Sequence, residues 1–141
     1  MRPFVFVLLC LQSTDAYKIL VYNSKFGHSH SNYLGQIADT LVDAGHNVTS
    51  LLPIIDAAVR DGTEESIKIH VQPDPEIAAM YADVETHKKV NFFEMNVANP
   101  IGPFFVGSMF SNIFSRTCKR VLEEPGLIER LRAEKFDVMI V

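Results

Sequence analysis

A chain of 141 residues with 48% hydrophobic content suits one compact domain with a real core and leaves no room for a second. Lys and Arg total 13 against 17 Asp and Glu, so the net charge of -4 supplies no basic field for a phosphate backbone and argues against nucleic acid as a partner. Two cysteines, Cys10 and Cys118, bound the redox chemistry.

Met1-Arg2-Pro3, the apolar run Phe4 to Leu11 and the segment Gln12 to Ala16 have the layout of a secretory signal peptide, with Ala16 the last residue removed. A buried N-terminal strand is the competing reading. The single Arg, the short apolar run and the small residue before a new strand favour targeting, and the run falls short of the ~20 apolar residues of a membrane-spanning helix. The expected boundaries are therefore a signal peptide over 1–16 and one domain over 17–141. Removal of Cys10 leaves Cys118 without a disulfide partner, and its apolar helical setting makes it a core residue.

Tyr17 to Asn23 (YKILVYN) is a nearly continuous apolar run, as in a strand buried on both faces of a parallel sheet. Ser31 or Asn32 is the expected cap of a helix whose Leu34, Ile37, Ala38, Leu41 and Val42 share one face, and Gly45 closes it. His46 to Leu52 is β-rich and stops at Pro53, which completes a strand–helix–strand unit of the right-handed parallel kind. Ser66 to Val71 predicts a third strand, Glu76 to Asn99 a loosely packed helical stretch, and Asn99 to Pro103 a loop. Phe104 to Glu124 follows as a helix, with Phe105, Met109, Ile113, Cys118, Val121 and Leu122 as its apolar positions. Pro125-Gly126 interrupts, Leu127 to Lys135 reads as a short amphipathic helix, and Phe136 to Val141 opens another buried strand inside which the chain stops. This predicts one α/β layered domain, either a fragment of a longer chain or a truncated gene product.

Ligands of doubly wound sheets bind at the carboxyl ends of strands, where the loop Ser24 to Asn32 falls. It carries neither a G-x-G-x-x-G turn nor a G-x-x-x-x-G-K-[ST] loop. It does carry Gly27, expected to free the turn, and His28 and His30 at a helix mouth, where a neutral imidazole can act as a general base. A partly exposed capping histidine is the plainer alternative, and two histidines at i, i+2 make no metal site without further ligands. Phe92, Phe93, Phe104, Phe105, Phe110 and Phe114 are candidates for an apolar pocket, although aromatics at helical spacing are more often core. Asn47-Val48-Thr49 is an N-glycosylation sequon at a strand start.

Lys18-Ile19-Leu20-Val21, Gly27-His28-Ser29-His30-Ser31-Asn32 and Leu41-Val42-Asp43-Ala44-Gly45-His46-Asn47-Val48-Thr49 resemble, in order and spacing, the opening of the UDP-glycosyltransferases, and the UDP-glucuronosyltransferases most of all. The resemblance covers nearly the whole of 17–141, more loosely in its centre. It implies a Rossmann-like parallel sheet with flanking helices, the N-terminal, acceptor-binding half of a GT-B fold. Counting back from Gly45-His46 by the family's spacing lands on His30 as the general base, with Phe26, Gly27, His28, Phe104 and Phe105 expected around the acceptor.

The implied reaction is inverting transfer of a sugar, glucuronic acid, from a UDP-sugar to a small lipophilic hydroxyl compound, with no metal. The family's orienting aspartate falls one position past Val141, and Asp137 is not its equivalent. The domain alone is thus expected to bind no cofactor and to be inactive. UDP-sugar binding and membrane anchorage belong to a C-terminal half, and the resemblance places such proteins in the secretory pathway, in the endoplasmic reticulum lumen. The competing expectation is an inactive truncated homologue, secreted, that binds hydrophobic ligands or pairs with a full-length relative. Homo-oligomers through the unfinished strand are a further expectation.

Overall fold

A computed structural model describes residues 16–86 and 101–141, with the side chains of 83–86 excepted. The expected signal peptide, apart from Ala16, and Phe92 and Phe93 lie outside the described residues. Four strands, β1 (Lys18–Tyr22), β2 (Asn47–Pro53), β3 (Ile67–Val71) and β4 (Val138–Ile140), form one sheet in the order β3-β2-β1-β4. All neighbours are parallel, with Lys18 beside Asn47, Thr49 beside Ile67 and Ile19 beside Val138. The helices are α1 (His28–Asp43), α2 (Pro75–Thr86), α3 (Ile101–Glu123) and α4 (Leu127–Glu134). The strand order reverses at β1, so a topological switch point lies between the carboxyl ends of β1 and β4.

Parallel strands need crossover connections, and these lay helices on both faces, which is why β1 is written as an unbroken apolar run. Side chains alternate along it. Ile19 and Val21 join Val48 and Ala38 under α1, with Leu34, Leu41 and Val42 packed around them. Leu20 turns to the other face, where Leu51, Ile69 and Val71 meet Val121 of α3 and Leu127 of α4. A third cluster, Ile55, Ile77 and Ile113 with Phe26, Met80, Tyr81 and Met109 against it, sits where the strand-end loops meet α2 and α3.

The helix ends depart from the sequence reading in several places. α1 begins at His28 with Gly27 as its N-cap, four or five residues earlier than a Ser31 or Asn32 cap would have it. Ser31 is instead fully buried in the first turn, its carbonyl against Gly62. The far end is a Schellman closure: His46 N–H donates to the Leu41 carbonyl and Gly45 N–H to that of Val42, with Gly45 at φ 91°. Ile101 to Pro103, read as loop, opens α3. Its buried stripe is Ile113, Thr117 and Val121, so Cys118, one position out of phase, is exposed rather than core. Among the described residues no helix is long and apolar enough to cross a membrane.

α1 presses directly on the loop that leads into β3. A Cβ on Gly35 would stand 1.9 Å from the Gly62 carbonyl oxygen, and Gly62 itself holds φ 77° with Ser31 backbone as close on its other side. Neither partner is a movable side chain. Gly35→Ala is therefore expected to destabilise the domain by about 2–3 kcal/mol, whereas Gly107→Ala, in open space on α3, should be neutral or stabilising by up to about 1 kcal/mol. Urea unfolding of the two variants checks this, and equal midpoints would contradict it.

Candidate functional site

The loop after β1 is pinned from several sides. Asn23 N–H donates to the Leu51 carbonyl (2.9 Å) and Lys25 N–H to that of Pro53 (2.9 Å), so the chain continues beside β2 beyond the strand proper. The Lys25 carbonyl accepts from Asp56 N–H at 2.8 Å. Asn23 is fully buried, and its amide nitrogen donates to the carbonyls of Ser31 (3.1 Å) and Asp61 (3.2 Å). These bonds set where α1 begins, and with it both histidines.

Gly27 does not serve the turn as expected. Its φ of -160° is extended backbone open to any residue, and a Cβ there would meet only His30 Nδ1, at 3.8 Å. The absent side chain leaves that flank of His30 uncovered. No side chain caps the helix start.

His28 and His30 are both exposed, but two residues along a helix turn a side chain by about 200°. His30 faces the aromatic side. Its ring meets Phe26 edge-on, with centroids 6.1 Å apart, and its Nδ1 lies 3.4 Å from Ser29 Oγ. Phe26 touches Phe110 and Phe114 of α3, each at 5.3 Å, and these two stack at 6.2 Å. His30 thus stands at the rim of an apolar surface whose outermost ring, Phe114, is 44% exposed. Such a rim can hold the ring of an apolar molecule while a hydroxyl on it reaches the imidazole.

Phe104 and Phe105 are not brought to His30. They lie on the outer faces of α3, 77% and 69% exposed. Among the described residues neither ring touches Phe26 or His30. Phe104 instead heads an open trough of about 630 Å3 along Gly107, Ser108, Ser111 and Ser115. Phe110 and Phe114 supply the aromatic neighbours; both belonged to the apolar helix in sequence, but only the register of α3 against Phe26 selects them. Asp137 sits at the opposite end of the sheet, its carboxylate accepting from Lys18 N–H at 2.8 Å. Asn47 is exposed at the first position of β2, while Thr49 of the same sequon is only 7% exposed.

A second polar group was not legible in sequence. The ammonium of Lys25, whose side chain is only 10% exposed, lies 2.9 Å from Asp61 Oδ1, and the other carboxylate oxygen of Asp61 lies 3.1 Å from His70 Nε2. Burial pushes the Asp61 carboxyl up, but hydrogen bonds from Lys25 and His70, with their charges, outweigh it and hold the group below the ordinary carboxylate range. Asp39 of α1 behaves alike: burial raises it, while the Thr63 hydroxyl and the N–H groups of Glu64 and Glu65 lower it further. Among the described residues no group of three or more His, Cys, Asp or Glu could hold a metal ion.

The family described as UDP-glucoronosyl and UDP-glucosyl transferase matches residues 17–141. A Caenorhabditis briggsae protein named as UDP-glucuronosyltransferase ugt-47 is 30% identical over 135 residues, 93% of this chain and 24% of the relative. Its Caenorhabditis elegans namesake is 31% identical over 127 residues, 86% of this chain and 23% of that protein. The chain therefore spans about a quarter of the length of these curated relatives. No solved structure matches it.

Because Asp39 and Asp61 titrate lower in the folded than in the unfolded chain, each adds stability that is complete above the ordinary carboxylate value of about 4 and lost as pH falls through the lowered folded values. Urea midpoints should hold from neutral pH to about 5 and then drop. Asp61→Asn should flatten that drop and lower the midpoint at neutral pH, and an unchanged acid slope would contradict the assignment.

Proposed function

This chain belongs to the UDP-glycosyltransferase family, and on that premise we propose that it is the acceptor-binding part of a glucuronosyltransferase, with His30 as the general base. The observation that carries the reading is the position of His30 at the mouth of α1 beside the Phe26, Phe110 and Phe114 surface, within the stretch that the family matches. The α/β fold, a four-stranded parallel sheet with flanking helices, is that of the family's Rossmann-like N-terminal half.

In the proposed reaction a small lipophilic alcohol or phenol lies against the aromatic surface with its hydroxyl toward His30. The imidazole takes the hydroxyl proton as the oxygen bonds to the anomeric carbon of the UDP-sugar. The bond from that carbon to the β-phosphate oxygen breaks, UDP leaves with the electron pair, and the configuration inverts. A base of this kind is ordinarily oriented by a third group. Among the described residues, Ser29 is the one polar side chain within hydrogen-bonding reach of the His30 ring. An orienting carboxylate and the UDP-sugar contacts belong, in this reading, to the parts of the relatives that the chain does not span.

Glucuronic acid as the sugar rests on the names of the two relatives. Passage through the secretory pathway to the endoplasmic reticulum lumen is proposed from the reading of residues 1–16 as a signal peptide. Glycosylation at Asn47 is proposed with it, and since Thr49 is buried in the sheet modification would precede folding. Self-association is proposed through β4, which lies at the sheet edge.

The deciding experiment uses a protein extended to the relatives' full length. His30→Ala should abolish sugar transfer to phenols, by about 100-fold or more, and leave acceptor binding intact, while His28→Ala should cost far less. Equal losses for the two variants would overturn the assignment of His30. Acceptor binding with no transfer by the unaltered full-length protein would favour the alternative, a ligand-binding homologue without turnover.

A further inference from the structure

On the flank of α1 away from His30 lies a cavity of about 610 Å3, lined among others by Lys25, Asn32, Arg60, Asp61, Glu64 and Lys68. Its size is that of a small-molecule site, roughly 300–1,000 Å3, and its lining is charged rather than aromatic. Asn32 lies two residues after His30, hence about 200° around the helix, so a molecule here would not compete for the acceptor surface.

The charges have a direction. Lys25 is only 8% exposed, and its ammonium uses one of three N–H donors on Asp61 at 2.9 Å. Asp61 is spent on both oxygens, since His70 takes the second at 3.1 Å. Arg60 and Lys68, both exposed, have no carboxylate partner among the described residues, and Glu64 alone stands against them on the wall. Lys25, Arg60 and Lys68 against Asp61 and Glu64 leave one net positive charge, with the half-buried Asp61 carboxylate already paired.

We propose that this cavity binds a small molecule bearing a carboxylate or phosphate group, held by Arg60 and Lys68 over the buried Lys25 ammonium. The guanidinium offers a planar fork that matches either anion, and Lys68 adds a second point charge. Asp61 serves by keeping Lys25 in place, and so is a positioning residue. The site is independent of sugar transfer and needs neither the donor nor His30.

The test is an amide NMR titration of the 141-residue chain with sodium phosphate and, separately, sodium acetate, at constant ionic strength. Saturable shifts at Lys25 and across residues 60–64 are expected, and the anion that saturates at lower concentration identifies the head group. The double substitution Arg60→Gln with Lys68→Gln should weaken binding about tenfold or more; both side chains are exposed, so the fold should survive. Lys119→Gln, a distant exposed lysine, should change nothing, and His30→Ala should bind as the parent does. Linear, non-saturating shifts with both anions, or equal affinity in the double variant, would overturn the proposal whatever becomes of the transferase reading.

Discussion

The side-chain amide of Asn23 is the interaction on which the rest of the site depends. It leaves the end of β1 in full burial and gives its two hydrogens to carbonyls of different elements, Ser31 in the first turn of α1 and Asp61 in the loop ahead of β3. Each such bond is worth only about 1 kcal/mol net, but a fully buried amide or carbonyl left without its partner costs more than that. The end of β1, the first turn of α1 and the loop ahead of β3 are thereby tied together at one side chain. The close approach of Gly35 and Gly62 completes the arrangement, because no side chain stands between helix and loop.

From that anchor the start of α1 presents two unlike flanks. One carries His30 against Phe26 and, through it, Phe110 and Phe114 of α3. The other carries Asn32 over a charged cavity in which the buried Lys25 pairs with a half-buried Asp61. The two histidines fall on different flanks because they are separated by about half a turn of helix. An apolar surface with a basic nitrogen at its rim suits deprotonation of a lipophilic hydroxyl, and a polar cavity with surplus positive charge suits an anion. A short stretch of helix thus presents two unlike surfaces by rotation alone.

Much of the fold was legible in the sequence because the local rules agreed with one another. The apolar run of β1, the 3, 4, 7, 8 spacing of α1 and the Gly45 closure all pointed to a parallel strand–helix–strand unit, and the structure has it. What failed to show were features fixed by distant contacts. Ser31 is a favourable cap residue by type, yet Gly62 packs over it and the helix begins earlier. Cys118 sits in an apolar pattern, yet the phase of α3 against the sheet buries Thr117 in its place. Nothing local pairs Lys25 with Asp61, or chooses Phe110 and Phe114 over Phe104 and Phe105 as the neighbours of Phe26. The preference for His30 over His28 came from family spacing; the structure adds that the two face different surroundings.

The most direct test of this account follows the ring resonances of both histidines while the chain is titrated with a lipophilic phenol such as 1-naphthol. His30 and the rings of Phe26, Phe110 and Phe114 should shift and show contacts to the phenol, while His28 stays unmoved. Shifts at His28 and along residues 57–64, with His30 unaffected, would contradict it.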